Sequence, residues 1–157
     1  SELEKLSLYA YKRPITAQDV RAMVSDASEE KSWTLTDGLG RRNPRQAMHA
    51  LRELRRDDQK PLQLLATISN QYRLILQVKA YQQRGLRDPK LIAAELLGEK
   101  RSSFPVEKAL ALPSQSSFEA LTAILGRLLE ADMAMKSGAD QDTELDLLVA
   151  ELTQRGS

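Results

Sequence analysis

The chain has 157 residues, of which 41% are hydrophobic and 29% charged, and its formal net charge is +1. That length allows one ordinary domain, or one domain and a piece of another, with enough apolar residues for a core. The absence of cysteine excludes disulfides, zinc–thiolate clusters and thiol catalysis, and a charge so near neutral favours no nucleic-acid partner and excludes none.

The opening Ser1-Glu-Leu-Glu-Lys-Leu6 starts in mid-pattern without an initiator methionine, which reads as the C-terminal piece of something larger. Leu3, Leu6, Tyr9 and Ala10 form an apolar stripe on a first helix, broken by Lys12-Arg13-Pro14. Thr16 is placed to cap a second, short helix bearing Val20, Met23 and Val24. The polar Ser25-Asp26-Ala27-Ser28 reads as a linker, so residues 1–25 are expected to be the tail of a preceding domain and 26–157 a domain of their own.

Trp33, Leu35 and Leu39 mark a short helix ending near Gly40-Arg41-Arg42. Asn43-Pro44 is a cap followed by a first-turn proline, and the helix it starts has Ala47, Met48, Leu51 and Leu54 on its apolar side. The stretch from Pro61 to Gly85 is the longest uninterrupted pattern in the chain. Its proline suits a first helical position and its glycine the residue just past the end. Leu65, Ile68, Tyr72, Ile75 and Lys79 define one face, and Leu64, Gln71, Leu74, Val78 and Tyr81 a second. A helix apolar on two faces must be covered on two sides, which makes it the centre of a bundle.

Asp88-Pro89 repeats the start signal for a helix with Leu91, Ile92, Leu96 and Leu97, stopped at Gly98. Phe104-Pro105 opens another, ended by Pro113. Ser116-Ser-Phe-Glu119 has the form of a capping box for a helix carrying Leu121, Ile124, Leu125, Leu128, Leu129, Met133 and Met135 to Lys136-Ser-Gly138. Asp142 is expected to cap the last helix, with Leu145, Leu148, Val149 and Leu152. No strand pattern of comparable strength occurs, so the fold class is all-α, a helical bundle. No apolar run approaches the roughly 20 residues that span a bilayer, and there is no signal peptide. We therefore expect a cytoplasmic protein without a membrane partner.

Residues for catalysis are lacking. The single histidine, His49, is a phosphate contact or general base on one reading and a solvated surface residue on the other. No phosphate-binding loop occurs, and no cofactor or metal is implied. The basic residues are more distinctive. Arg45, His49, Arg52 and Arg56 recur on one helix side, with Arg41 and Arg42 just upstream. From Arg41 to Lys60, seven basic residues stand against three acidic, a local +4; from Glu119 to Glu151, eight acidic stand against two basic, a local −6. A basic flank and an acidic flank suit head-to-tail association into rings, phosphate binding is a second reading, and a solvated face a third. Arg73 and Asp132 each lie beside apolar positions of long helices. They are expected to pair between those helices, or else both to reach solvent.

Leu129-Glu-Ala-Asp-Met-Ala-Met-Lys-Ser-Gly138, with Asp132, Lys136 and Gly138, resembles the signature near the C-terminus of the delta subunit of bacterial DNA polymerase III. Leu35-Thr-Asp-Gly-Leu-Gly-Arg-Arg-Asn-Pro-Arg-Gln-Ala47 and Gln71-Tyr-Arg-Leu-Ile-Leu-Gln-Val-Lys79 are similar to that family's preceding helices, in the same order. Glu4-Lys-Leu-Ser-Leu-Tyr-Ala10 with Ile15-Thr-Ala-Gln-Asp-Val20 looks like the end of its lid domain. The resemblance implies a non-catalytic clamp-loader component: residues 1–25 ending the AAA+ lid, residues 26–157 forming the helical collar. Implied partners are the tau/gamma and delta-prime subunits, with the sliding clamp reached through an N-terminal region outside these residues and DNA only indirectly. A nucleic-acid-binding module using the Arg41–Arg56 face is the alternative. Gly38 stands where the family pattern has alanine, at a helix-interior cost of about 1 kcal/mol.

Overall fold

Short polar residues cap the starts of four helices, and glycines follow the ends of three. In the computed structural model, which describes residues 16–112 and 117–154 and the backbone alone for 19–26, Asn43 and Asp140 each accept the N–H three residues on, from Gln46 at 3.1 Å and Thr143 at 3.0 Å. Asp88 accepts from Lys90 at 3.1 Å, and Ser117 from Ala120 at 3.0 Å. These bonds satisfy N–H groups that a first turn leaves without partners. At the other ends Gly85, Gly98 and Gly138 take φ of 88°, 103° and 103°, a region closed to most side chains.

Among the described residues this gives seven helices and no strand: α1 (Ala17–Gly40), α2 (Pro44–Arg56), α3 (Pro61–Gln83), α4 (Pro89–Leu97), α5 (Phe104–Ala111), α6 (Phe118–Lys136) and α7 (Gln141–Leu152). The all-α expectation holds. The stripe expected at Leu3–Ala10, the side chains of Val20, Met23 and Val24, and Ser116 lie outside what is described.

The long helix expected at the centre is there. α3 packs against α1, α5, α6 and α7, and buries Leu64, Leu65, Ile68, Gln71, Tyr72, Leu74 and Val78. Its two coverings are separate cores, divided along its length as much as around it. The N-terminal half meets Leu35, Leu39, Leu51, Leu54, Leu128, Leu145 and Leu148. The C-terminal half meets Trp33, Ile92, Val106 and Ala109. Ile75 touches both.

Several expectations are corrected. α1 runs without a break through Ser25–Ser28, where a linker was expected. Serine and aspartate cost a helix only tenths of a kcal/mol each, too little to stop one continuing into the apolar turns beyond. The caps of the last two helices shift. The serine bound to Ala120 is Ser117, and the last helix is capped by Asp140, which leaves Asp142 in the first turn. Asp140 wins because its carboxylate also takes the Thr143 hydroxyl at 2.6 Å. On α4, Leu91 is exposed while Ile92 is buried.

Gly38 has a structural reason. An ideal Cβ there would lie 3.0 Å from the Ala47 nitrogen and 3.2 Å from its Cα. The helix stays regular through this glycine, and its bare surface lets α2 fold back closely onto α1, where the Asn43 N–H donates to the Gly38 carbonyl at 2.9 Å.

Between α1 and α3 lies a polar network inside the apolar packing. The Thr36 hydroxyl donates to Gln71 Oε1 at 2.5 Å, Gln71 Nε2 donates to Ser32 Oγ at 2.8 Å, and Ser32 donates to the Glu29 carbonyl at 2.7 Å. All three side chains are buried and each has its partners, so the network fixes register rather than costing it. Tyr72 is buried alongside, and burial together with the nearby Asp37 holds its hydroxyl well above the ordinary phenol range.

Candidate assembly interface

α2 turns Ala47, Ala50, Leu51 and Leu54 inward, so a helix period leaves Arg45, His49, Arg52 and Arg56 on the outside, all exposed. The structure thus brings the expected basic side together. His49 is not isolated: its Nε2 lies 3.2 Å from Glu53, one turn on. Arg41 is held by Asp37 at 2.8 and 2.9 Å. Arg45, Arg52 and Arg56 have no ion pair among the described residues. Arg42, exposed with a φ of 54°, forms the turn into α2.

The basic and acidic flanks also meet inside the chain, at a residue the sequence reading passed over. Arg55 reaches from α2 to α7, donating from Nη1 to Asp146 at 2.8 Å and from Nη2 to the Asp142 carbonyl at 3.1 Å. Its Nε lies 3.3 Å from the Asp142 carboxylate but makes no hydrogen bond there. Spacing offered one hint: Arg55 falls one position off the Arg45–Arg56 side, toward the core. On α6, Arg127 donates to Glu151 of α7 at 2.6 Å, which holds the Glu151 carboxyl below its usual range and raises the guanidinium.

The proposed Arg73–Asp132 pair does not form. Arg73 is exposed and donates to Asn70 at 2.9 Å, while Asp132 binds Lys136 at 2.9 Å, one turn along α6. Arg73 lines an open groove with Glu29 and Trp33 of α1, so it leaves α3 on the side facing α1. A local partner at i, i+4 holds Asp132 without crossing between helices.

α6 is apolar on its outward side as well as on its core side. Its core side is Leu121, Leu128, Ala131 and Met135. Leu129 and Met133, two of the apolar residues the sequence gives this helix, are 58% and 60% exposed, and Phe118 at its start is 37% exposed. Only two other large apolar side chains, Leu91 and Leu147, are comparably exposed among the described residues, so outward apolar surface is concentrated on one helix. Gly126 lies on the same side, and among the described residues nothing outside its own helix backbone comes within 4 Å of where its Cβ would be. Among the described residues no cluster of three or more His, Asp or Glu is placed to hold a metal. None of the helices described is long and apolar enough to cross a membrane.

The family model for the C-terminal domain of the DNA polymerase III delta subunit matches residues 29–152. The chain belongs to this family. It is 31% identical over 156 residues to the DNA polymerase III subunit delta of Bacillus subtilis, covering 98% of this chain and 44% of that protein. The solved structure of the Bacillus subtilis DNA clamp loader delta protein superposes with a TM-score of 0.76 at 31% identity, over 98% of this chain and 45% of that one. The chain therefore spans less than half the length of the relatives it matches. The signature residues Asp132, Lys136 and Gly138 occupy the end of α6: the first two form its i, i+4 pair, and Gly138 supplies the left-handed residue after it.

Proposed function

We propose that this chain is the assembly part of a clamp-loader delta-type subunit acting in DNA replication. It is non-catalytic and holds its subunit in the helical collar while the clamp is loaded. In this reading residues 1–25 end a lid domain and residues 26–157 form the collar, with α1 a continuous strut between them. Its partners are the tau/gamma and delta-prime subunits, and contact with the sliding clamp belongs to the N-terminal part of the longer relatives. The observation that carries the reading is the outward apolar side of α6 in a chain of this family: surface of that kind marks an interaction site. Size-exclusion chromatography with light scattering tests it. Co-elution with purified tau/gamma and delta-prime, only modestly weakened by salt, is expected; separate elution at micromolar concentrations refutes it.

A second reading, direct phosphate binding, is favoured by Arg45, Arg52 and Arg56, exposed on one side of α2 and free of ion pairs among the described residues. It requires that binding of a DNA duplex fall steeply with log salt, by nearly one power per neutralised phosphate. Charge reversal at Arg52 would then reduce that slope.

A further inference from the structure

We propose that the outward side of α6 is a helix-docking face, and that its occupant is an amphipathic helix of another clamp-loader subunit with Lys or Arg along one flank. The inference rests on the assembly reading above. Phe118, Thr122, Gly126, Leu129 and Met133 are exposed, follow helical spacing and stay on one side of α6 over about four turns, with Leu125 at the edge half-buried against the chain's own core. Steps of three and four residues are the pattern of a helix–helix seam, in which ridges of one helix fill grooves of the other.

The two mid-helix glycines separate intramolecular from intermolecular packing. Gly38 is explained within the chain, by the Ala47 backbone 3.0 Å from its would-be Cβ. Gly126 weakens its helix just as glycine does anywhere in a helix interior, yet among the described residues nothing outside its own helix backbone comes within 4 Å of its would-be Cβ. A bare backbone between Leu125 and Leu129 allows a second helix to approach more closely than any side chain would permit.

The occupant's charge follows from the borders of the face. On one border Asp132 is neutralised by Lys136 at 2.9 Å. On the other, Glu119 and Glu130 are exposed, and neither has an ion pair among the described residues. An acidic border repels nucleic acid and anionic lipid, and attracts a helix with a basic flank. A second copy of this chain is a poor match. Its basic side, on α2, has its apolar residues turned into its own core, so it offers arginines without a stripe to fill the seam.

The test uses the full-length subunit with its purified clamp-loader partners. Leu129→Glu with Met133→Glu should raise the Kd for assembly at least tenfold while helicity and Tm stay within a few per cent, because both side chains point outward. Gly126→Gln improves the helix itself, so a comparable loss in that variant cannot come from unfolding. Glu119→Lys with Glu130→Lys should weaken assembly severalfold, and most at low salt. Unchanged affinity in the first two variants overturns the face. Unchanged or tighter assembly after charge reversal overturns the basic-flanked partner. A homodimer of the unsubstituted protein that Leu129→Glu breaks would put a second copy there instead. Failure of the unsubstituted subunit to assemble refutes the collar reading itself, a result distinct from these.

Discussion

Replacing Gln71 by leucine removes the hinge of the polar network between α1 and α3. Leucine nearly fills the same volume, so the loss is chiefly one of hydrogen bonds. Thr36, only 1% exposed, loses the acceptor 2.5 Å from its hydroxyl. Ser32 keeps its bond to the Glu29 carbonyl and loses only the amide that donates to it. One buried donor is thus left without its partner, which costs about 1–3 kcal/mol. For a domain of this size that is a fall in Tm of roughly 2–4 °C per kcal/mol. Adding Thr36→Val removes the orphaned hydroxyl while keeping its shape, so the double variant should be more stable than Gln71→Leu alone. Urea unfolding at equal slope measures both. A Gln71→Leu variant as stable as the parent, or a double variant weaker than the single, would refute the claim that this network is closed and mutually satisfied.

The two glycines should respond in opposite directions. Gly38→Ala is expected to lose about 1 kcal/mol, since overpacking against the Ala47 backbone outweighs the helix-propensity gain, whereas Gly126→Ala, in open space, gains about 0.5–1 kcal/mol of isolated-chain stability; thermal melts of both check the contrast. Asp140→Ala should lower the Tm measurably and Asp140→Asn far less, since asparagine caps equally well. Asp140 and Glu151 are both held below their ordinary values, by Thr143 and by Arg127 respectively. Their stabilising contributions are therefore complete above the unfolded values near 3.8 and 4.5 and lost as pH falls below them. Acid unfolding curves of Asp140→Asn should accordingly be flatter below pH 4 than those of the parent. Asp132→Asn removes only a surface pair with Lys136 and should shift stability by under about 0.5 kcal/mol; a large loss would restore a tertiary partner for Asp132.

Most of the secondary structure was legible from local chemistry. Asn43-Pro44, Asp88-Pro89 and Pro61 through Gly85 place their helices correctly because caps, first-turn prolines and left-handed glycines act within a few residues of one another. Periodicity also identified α3 as the helix needing cover on two sides. Where two caps competed, as with Asp140 and Asp142, spacing alone could not choose, because the outcome depends on which carboxylate the local turn aims at the free N–H groups.

What the sequence determined by itself was the helical class, the central place of α3 and the outward basic side of α2. Each follows from patterns repeated along one helix. Only the tertiary structure decided which apolar residues stay outside, because Leu129 and Leu128 are chemically alike and differ only in which neighbour faces them. It likewise decided that Arg55 rather than Arg73 ties distant helices together. Partners 87 and 91 residues away in sequence, in the case of Arg55, are brought to the same place by the packing of α2 on α7, and no spacing along the chain encodes that meeting.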